Sequence, residues 1–319
     1  MSEDLDRAVR AVVRDCLGVA EGEDVLVICN PPTRELGDRM RAEAEGAGAD
    51  SVLAVMAERA SHAAEPPGSI AAAMAAAAVV LAPTVQSLSH TAARKAASES
   101  GARIATLPGV TAEMLARVMS ADMEGLRRKG RAVADALDRG SEARISCPNG
   151  SDLRLGLEGR TAIPDAGELT APGAFGNLPC GEGFIAPLEG TGEGTLVVDG
   201  SIANLGLVGE PVTLTVVDGH LIEASDDVGA KLIELLTVHG PDGTNVAELG
   251  IGTNEKAILT GEVLEDEKIL GTAHVAFGAS AAIGGTVQVP VHLDCVVTRP
   301  TVGVDGTAIV RDGELQVGQ

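Results

Sequence analysis

The chain has 319 residues, with 46 acidic against 24 basic side chains and a net charge of -22. So acidic a chain lacks a broad phosphate-binding face, and with no Trp, no Tyr and only three Phe it has no stacking platform for bases, so nucleic acid is not expected as a partner. A hydrophobic fraction of 45% with 22% charged residues fits a folded globular protein, long enough for two domains.

The five cysteines (Cys16, Cys29, Cys147, Cys180, Cys295) form no CxxC pair, which points away from a zinc ribbon or a disulfide framework and towards reduced thiols in a cytoplasmic protein. The opening MSEDLDRAVR has no apolar core of a signal peptide, and the apolar stretch Ile70 to Leu81 is too short for a bilayer, so no membrane association is expected.

In chain order, Leu5 to Leu17 has helical spacing, and Asp24 to Cys29 is an apolar run suited to a buried parallel strand. Thr33 to Ala47 reads as a helix, Ser51 to Met56 and Ala78 to Leu81 as strands, Thr91 to Ser100 as a helix and Arg103 to Thr106 as a fourth strand. Helices over Ala112–Val118 and Met123–Leu137 follow. This rhythm predicts an open, mostly parallel α/β sheet.

Near residue 140 the composition shifts. The first 139 residues carry a net charge of -4 and 10 glycines; the remainder carries -18 and 30 glycines. The expected organisation is an α/β domain over 1–139 and a β-rich α+β, metal-binding domain over 140–319. In the latter, Ser141–Cys147 and Asp152–Leu157 flank a Pro148-Asn149-Gly150 turn, a hairpin signal. Gly194–Asp199, Pro211–Val217 and Val287–Val297 read as further strands, and Asp226–Val238 as a helix.

Candidate chemistry in the first part is weak. The loop Asn30-Pro31-Pro32-Thr33 lacks a GxGxxG pattern, and Ser87, Ser89 and His90 sit in no GxSxG elbow and read as a helix cap. Gly190–Gly194 leads into a strand rather than a helix and reads as a turn.

The second part is more informative. His292-Leu293-Asp294 lies in an apolar strand, whose period of two places His292 and Asp294 on one face. They can chelate one ion or form a hydrogen-bonded pair. His274 lies in another strand-like run with small neighbours, Gly271 to Gly278. Glu182 and Glu248 are flanked by apolar residues and glycines, and a buried carboxylate there needs a partner or a metal. Carboxylates and imidazoles without thiolates suit zinc, cobalt, manganese or iron, and three carboxylates with two histidines suit two ions sharing one carboxylate.

These segments resemble the aminopeptidase T / AmpS family of metallopeptidases: Pro179-Cys-Gly-Glu182, Ala247-Glu248-Leu-Gly-Ile-Gly-Thr-Asn254, Gly271-Thr-Ala-His274-Val-Ala-Phe-Gly278 and His292-Leu-Asp294. The resemblance implies a two-metal centre (zinc, cobalt or manganese) held by Glu182, Glu248, His274, His292 and Asp294, with Glu248 bridging. It further implies a homodimer and a metallo-aminopeptidase-like hydrolase acting on small peptides. In that reading a metal-activated water attacks the N-terminal peptide bond, and Glu182 and Glu248 are the candidates to carry the proton. The peptidases carry a Tyr after the histidine matching His274, where this chain has Ala279-Ser280-Ala281-Ala282, and an additional acid before it; Glu267, in Glu265-Asp266-Glu267-Lys268, reads instead as part of a surface turn. The same superfamily contains the Fe(II)-dependent 2,5-dihydroxypyridine 5,6-dioxygenase, with a two-histidine, one-carboxylate site that His292 and Asp294 would serve; this is the alternative reading. A metal-stabilised binding protein without catalysis is the second alternative.

Overall fold

The structure, a computed structural model, describes residues 2–319. The chain forms two compact units. One comprises the chain up to Met123 together with Gly167–Cys180, and the other comprises Glu124–Ala166 and Gly181–Gln319. The compositional break near residue 140 falls just after the helix Met123–Asp138, within the second of these.

The first unit holds a five-stranded parallel sheet in the order Asp50–Val55, Asp24–Cys29, Val79–Ala82, Arg103–Thr106, Phe175–Asn177. Its central strands are buried on both faces, which is why they read as continuous apolar runs and not as alternation. The α/β architecture expected from the βα rhythm is thus present. The fifth strand, Phe175–Asn177, arrives from far downstream; three residues are too few to show a period. The polar residues at the strand ends serve the scaffold. Asn30 Nδ2 donates to Met56 O, Thr33 Oγ1 to Pro83 O, and Ser89 Oγ lies 2.9 Å from Thr106 Oγ1. Thr91 Oγ1 caps the helix Ala92–Glu99 by accepting from Arg94 N.

The second unit is built on two antiparallel sheets. Among the described residues, one has eight strands and includes the hairpin Glu142–Ser146/Asp152–Gly156 around Pro148-Asn149-Gly150. The other has seven. Its centre runs in the order His292–Val297, Ala273–Gly278, Val246–Gly252, Glu182–Ile185. Leu153 and Leu196 of the first sheet share one core with Leu249, Ile251, Val275, Phe277, Leu293 and Cys295 of the second.

Strand periodicity then decides where the polar residues go. Leu249, Val275, Leu293 and Ile185 face that core, so Glu248, His274, His292, Asp294 and Glu182 face the opposite side of the same sheet. In the Glu248 strand the alternation is reset by a bulge: Val246 pairs with Phe277 and Glu248 with Ala276, leaving Ala247 as the extra residue. Without it Val246 and Leu249, three apart, could not both face the core.

Candidate metal centre

The four central strands of the seven-stranded sheet bring all five sequence-identified side chains together. His274 Nε2 lies 3.2 Å from Glu182 Oε2 and 3.3 Å from Glu248 Oε1. His292 Nε2 lies 3.3 Å from Glu248 Oε2 and 3.6 Å from Asp294 Oδ1. Glu248 therefore sits between the two imidazoles. The spacing comes from the register: Glu248 is opposite Ala276, Ala276 is opposite Asp294, and Gly250 is opposite His274. Small residues, Gly250 and Ala276, alternate with the donors on this face. A Cβ at Gly250 would overlap Nε2 and Cε1 of His274 and come 2.9 Å from Cδ2, so the ring lies where a side chain would otherwise stand.

Two donor groups result. Glu248, His292 and Asp294 offer atoms within 4.8 Å of one another, as do Glu182, Glu267 and His274. Donors about 2.1 Å from a shared divalent ion stand roughly 3 to 3.4 Å apart, which the first group approaches. His292 is further oriented from outside: its Nδ1 lies 2.8 Å from Ala279 O, so Nδ1 carries a proton and Nε2 faces Glu248 and Asp294. Glu182 Oε2 is buried with His274 Nε2 at 3.2 Å as its polar neighbour and makes no well-aligned hydrogen bond. Buried carboxylates in this number require compensating cations, and the donor set of imidazoles and carboxylates fits a borderline divalent metal such as Fe(II).

The run Glu265-Asp266-Glu267-Lys268 departs from the surface turn expected of it: all four residues are buried. Glu265 Oε1 accepts from Ile258 N, and Asp266 accepts from Thr260 N and Gly261 N, so these two hold the preceding loop. Glu267 and Lys268 turn towards the centre. Lys268 Nζ lies 2.5 Å from Glu182 Oε1, 2.5 Å from Glu267 Oε1 and 3.7 Å from Asp165 Oδ2, and its side chain is fully buried. A lysine within a run of acids carries no sequence signal for burial; only the fold reveals it.

The electrostatics follow from crowding. Burial pushes Asp165 up to about 7 and Glu267 up to about 8, with Glu182 adding to both and Lys268 opposing. Glu182, Glu248 and Asp294 stay below the usual carboxylate range despite their burial, because Lys268 and His274 face the first, both imidazoles the second and His292 the third. For His274 and His292, burial alone would lower the pKa. For His274 the carboxylates of Glu182 and Glu248, and for His292 those of Asp294 and Glu248, outweigh it and raise it well above the ordinary value. In the metal-free protein both rings are therefore imidazolium at neutral pH, and a metal must displace their protons to reach the nitrogens. Affinity for Mn(II) is expected to rise with pH through the neutral range, with protons released on binding in weakly buffered solution. An affinity independent of pH, with no proton release, would contradict this protonation state.

The fold and centre define a class: a two-unit α/β and antiparallel-β protein whose second unit buries a carboxylate–histidine cluster on one sheet face. The profile of the NicX family, described as 2,5-dihydroxypyridine 5,6-dioxygenase, matches residues 4–317. The chain belongs to that family. A curated relative, 2,5-dihydroxypyridine 5,6-dioxygenase of Pseudomonas putida, is 24% identical over 217 residues, 64% of this chain; the match spans 61% of the relative's own length. Among solved structures, 2,5-dihydroxypyridine dioxygenase from Pseudomonas putida KT2440 superposes with a TM-score of 0.85 at 20% identity, covering 98% of this chain and 96% of that one. Wild-type AmpT from Thermus thermophilus superposes with a TM-score of 0.74 at 19% identity, covering 99% and 100%.

These findings correct the expected activity. A metallo-aminopeptidase-like hydrolase is overturned by the family match and the curated relative, both dioxygenases. The physical reason is that AmpT and the dioxygenase share this fold, so motifs that build the common sheet do not by themselves specify the reaction. No described helix is long and apolar enough to cross a membrane.

Proposed function

We propose that this chain is an Fe(II)-dependent dioxygenase that opens a dihydroxylated ring of the 2,5-dihydroxypyridine type. The observation that carries the reading is the placement of His274, His292 and Asp294 on one sheet face, with Glu248 between the two imidazoles, in a chain that the dioxygenase family matches from residue 4 to 317. Two imidazoles and one carboxylate are the donor set of non-haem iron oxygenases.

Ferrous iron would supply the one-electron chemistry that lets dioxygen react with an electron-rich ring. Both oxygen atoms end in the ring-opened product, so no external reductant is consumed. The chain's own residues bind and orient. His292 is held in one tautomer by Ala279 O, and His274 is laid over Gly250. Glu248, between the two rings, is the carboxylate placed to take a proton from a ring hydroxyl. Burial of Glu248 and Asp294 keeps bulk water from the reacting ring.

Protein purified anaerobically and loaded with Fe(II) is expected to consume oxygen in equimolar amount with added 2,5-dihydroxypyridine, with loss of the ring's near-ultraviolet absorbance. Absence of oxygen uptake with this compound and with dihydroxybenzenes would overturn the proposal.

A further inference from the structure

Lys268 has no place in the donor set, yet it is among the largest fully buried side chains of the protein. Burying an ammonium is costly unless every N–H finds an acceptor. Here two carboxylate oxygens lie at 2.5 Å, one from Glu182 and one from Glu267, and Asp165 stands behind them at 3.7 Å. Glu182 and Glu267 are also two of the three members of the second donor group, with His274 as the third. The ammonium thus occupies the charge-compensating position between the two carboxylates that would otherwise hold an ion.

We propose that Lys268 is a built-in cation that closes the Glu182–Glu267 end of the centre to metal, so that the chain binds one ion and not two. The inference rests on the proposed metal centre and deepens it by setting its nuclearity. A divalent ion at Glu182 and Glu267 would have to share both carboxylates with a positive charge a few ångströms away, where the two cations repel in a poorly screened interior. With that end filled, His274 is left facing Glu248 on the side of His292 and Asp294. A centre with one ion keeps coordination positions open for small ligands; a pair bridged by carboxylates is the arrangement of water-activating hydrolases. Lys268 is accordingly a positioning residue that decides which of two chemistries a shared sheet of donors can support.

The test counts ions and needs no turnover. Metal-free protein is titrated with Mn(II), and bound manganese is measured by elemental analysis and by electron paramagnetic resonance, which separates an isolated ion from a spin-coupled pair. The unaltered protein is expected to bind one uncoupled Mn(II). Lys268→Met, which keeps the length of the side chain and removes its charge, is expected to bind two, with the coupled signature. Should Lys268→Met fail to fold, Glu267→Gln in the otherwise unchanged chain serves: it is expected to retain its one ion, because Glu267 pairs with Lys268. Two coupled ions in the unaltered protein, one ion in folded Lys268→Met, or loss of the ion in Glu267→Gln would each overturn the inference. Failure of the unaltered protein to bind any Mn(II) would overturn the metal centre with it. A single ion together with no oxygen uptake would defeat only the dioxygenase reading.

Discussion

Replacing His292 by alanine is expected to lower metal affinity by at least about 100-fold and activity by roughly a thousandfold or more. The imidazole is held from both sides, by Ala279 O at Nδ1 and by Glu248 and Asp294 near Nε2. Its loss removes one donor and leaves two buried carboxylates facing each other. They repel and take up protons, so the remaining donors lose charge as well as number. His220→Ala is the control, since His220 lies on another strand and its Nδ1 is 3.2 Å from Thr244 Oγ1. Elemental analysis of both variants after anaerobic loading, followed by oxygen uptake, checks the expectation. Full iron occupancy in His292→Ala would remove His292 from the centre.

Much of this centre was legible in the sequence because it is a strand property. His292-Leu293-Asp294 alternates in period two, and the same period in Gly271–Gly278 puts His274 on the face opposite Val275 and Phe277 once the core face is known. The βα rhythm of the first part reports its parallel sheet for a similar reason: strands covered on both faces must be apolar throughout. Three things were not legible. The strand Phe175–Asn177 joins the parallel sheet from well downstream of its neighbour Arg103–Thr106, and its three residues show no pattern. The bulge at Ala247 sets which face Glu248 occupies, and a bulge depends on pairing across strands. The run Glu265 to Lys268 has the composition of a solvated turn, and its burial arises because Glu265 and Asp266 meet backbone N–H groups, Glu267 meets Lys268, and Lys268 reaches the distant Glu182. The reaction class belongs with these: proteins of both activities share the fold, so the strands that carry the donors do not name the reaction.

The most discriminating test of the sheet geometry is Gly250→Ala. In an ordinary strand this change is stabilising by about 0.5–1 kcal/mol, since alanine loses less conformational entropy on folding. The backbone at Gly250 lies outside the left-handed region, so alanine meets no local strain there. What it meets is the imidazole of His274, overlapping Nε2 and Cε1. The ring cannot yield freely, because His274 is fully buried and its Nε2 lies between Glu182 and Glu248. Overpacking of this kind costs about 1–3 kcal/mol, so the sign of the stability change reverses. The displaced ring also leaves Glu248, and a shift of an ångström at a donor is enough to dismantle the centre. Gly250→Ala is therefore expected to melt at lower temperature than the unaltered protein and to lose most of the stabilisation that Mn(II) confers on it. Gly209→Ala is the matched control: nothing lies within 4 Å of its added carbon, and metal-dependent stabilisation should be retained. If Gly250→Ala instead gained stability and kept its metal response, the ring of His274 would not lie across this strand, and the placement of both donor groups would have to be redrawn.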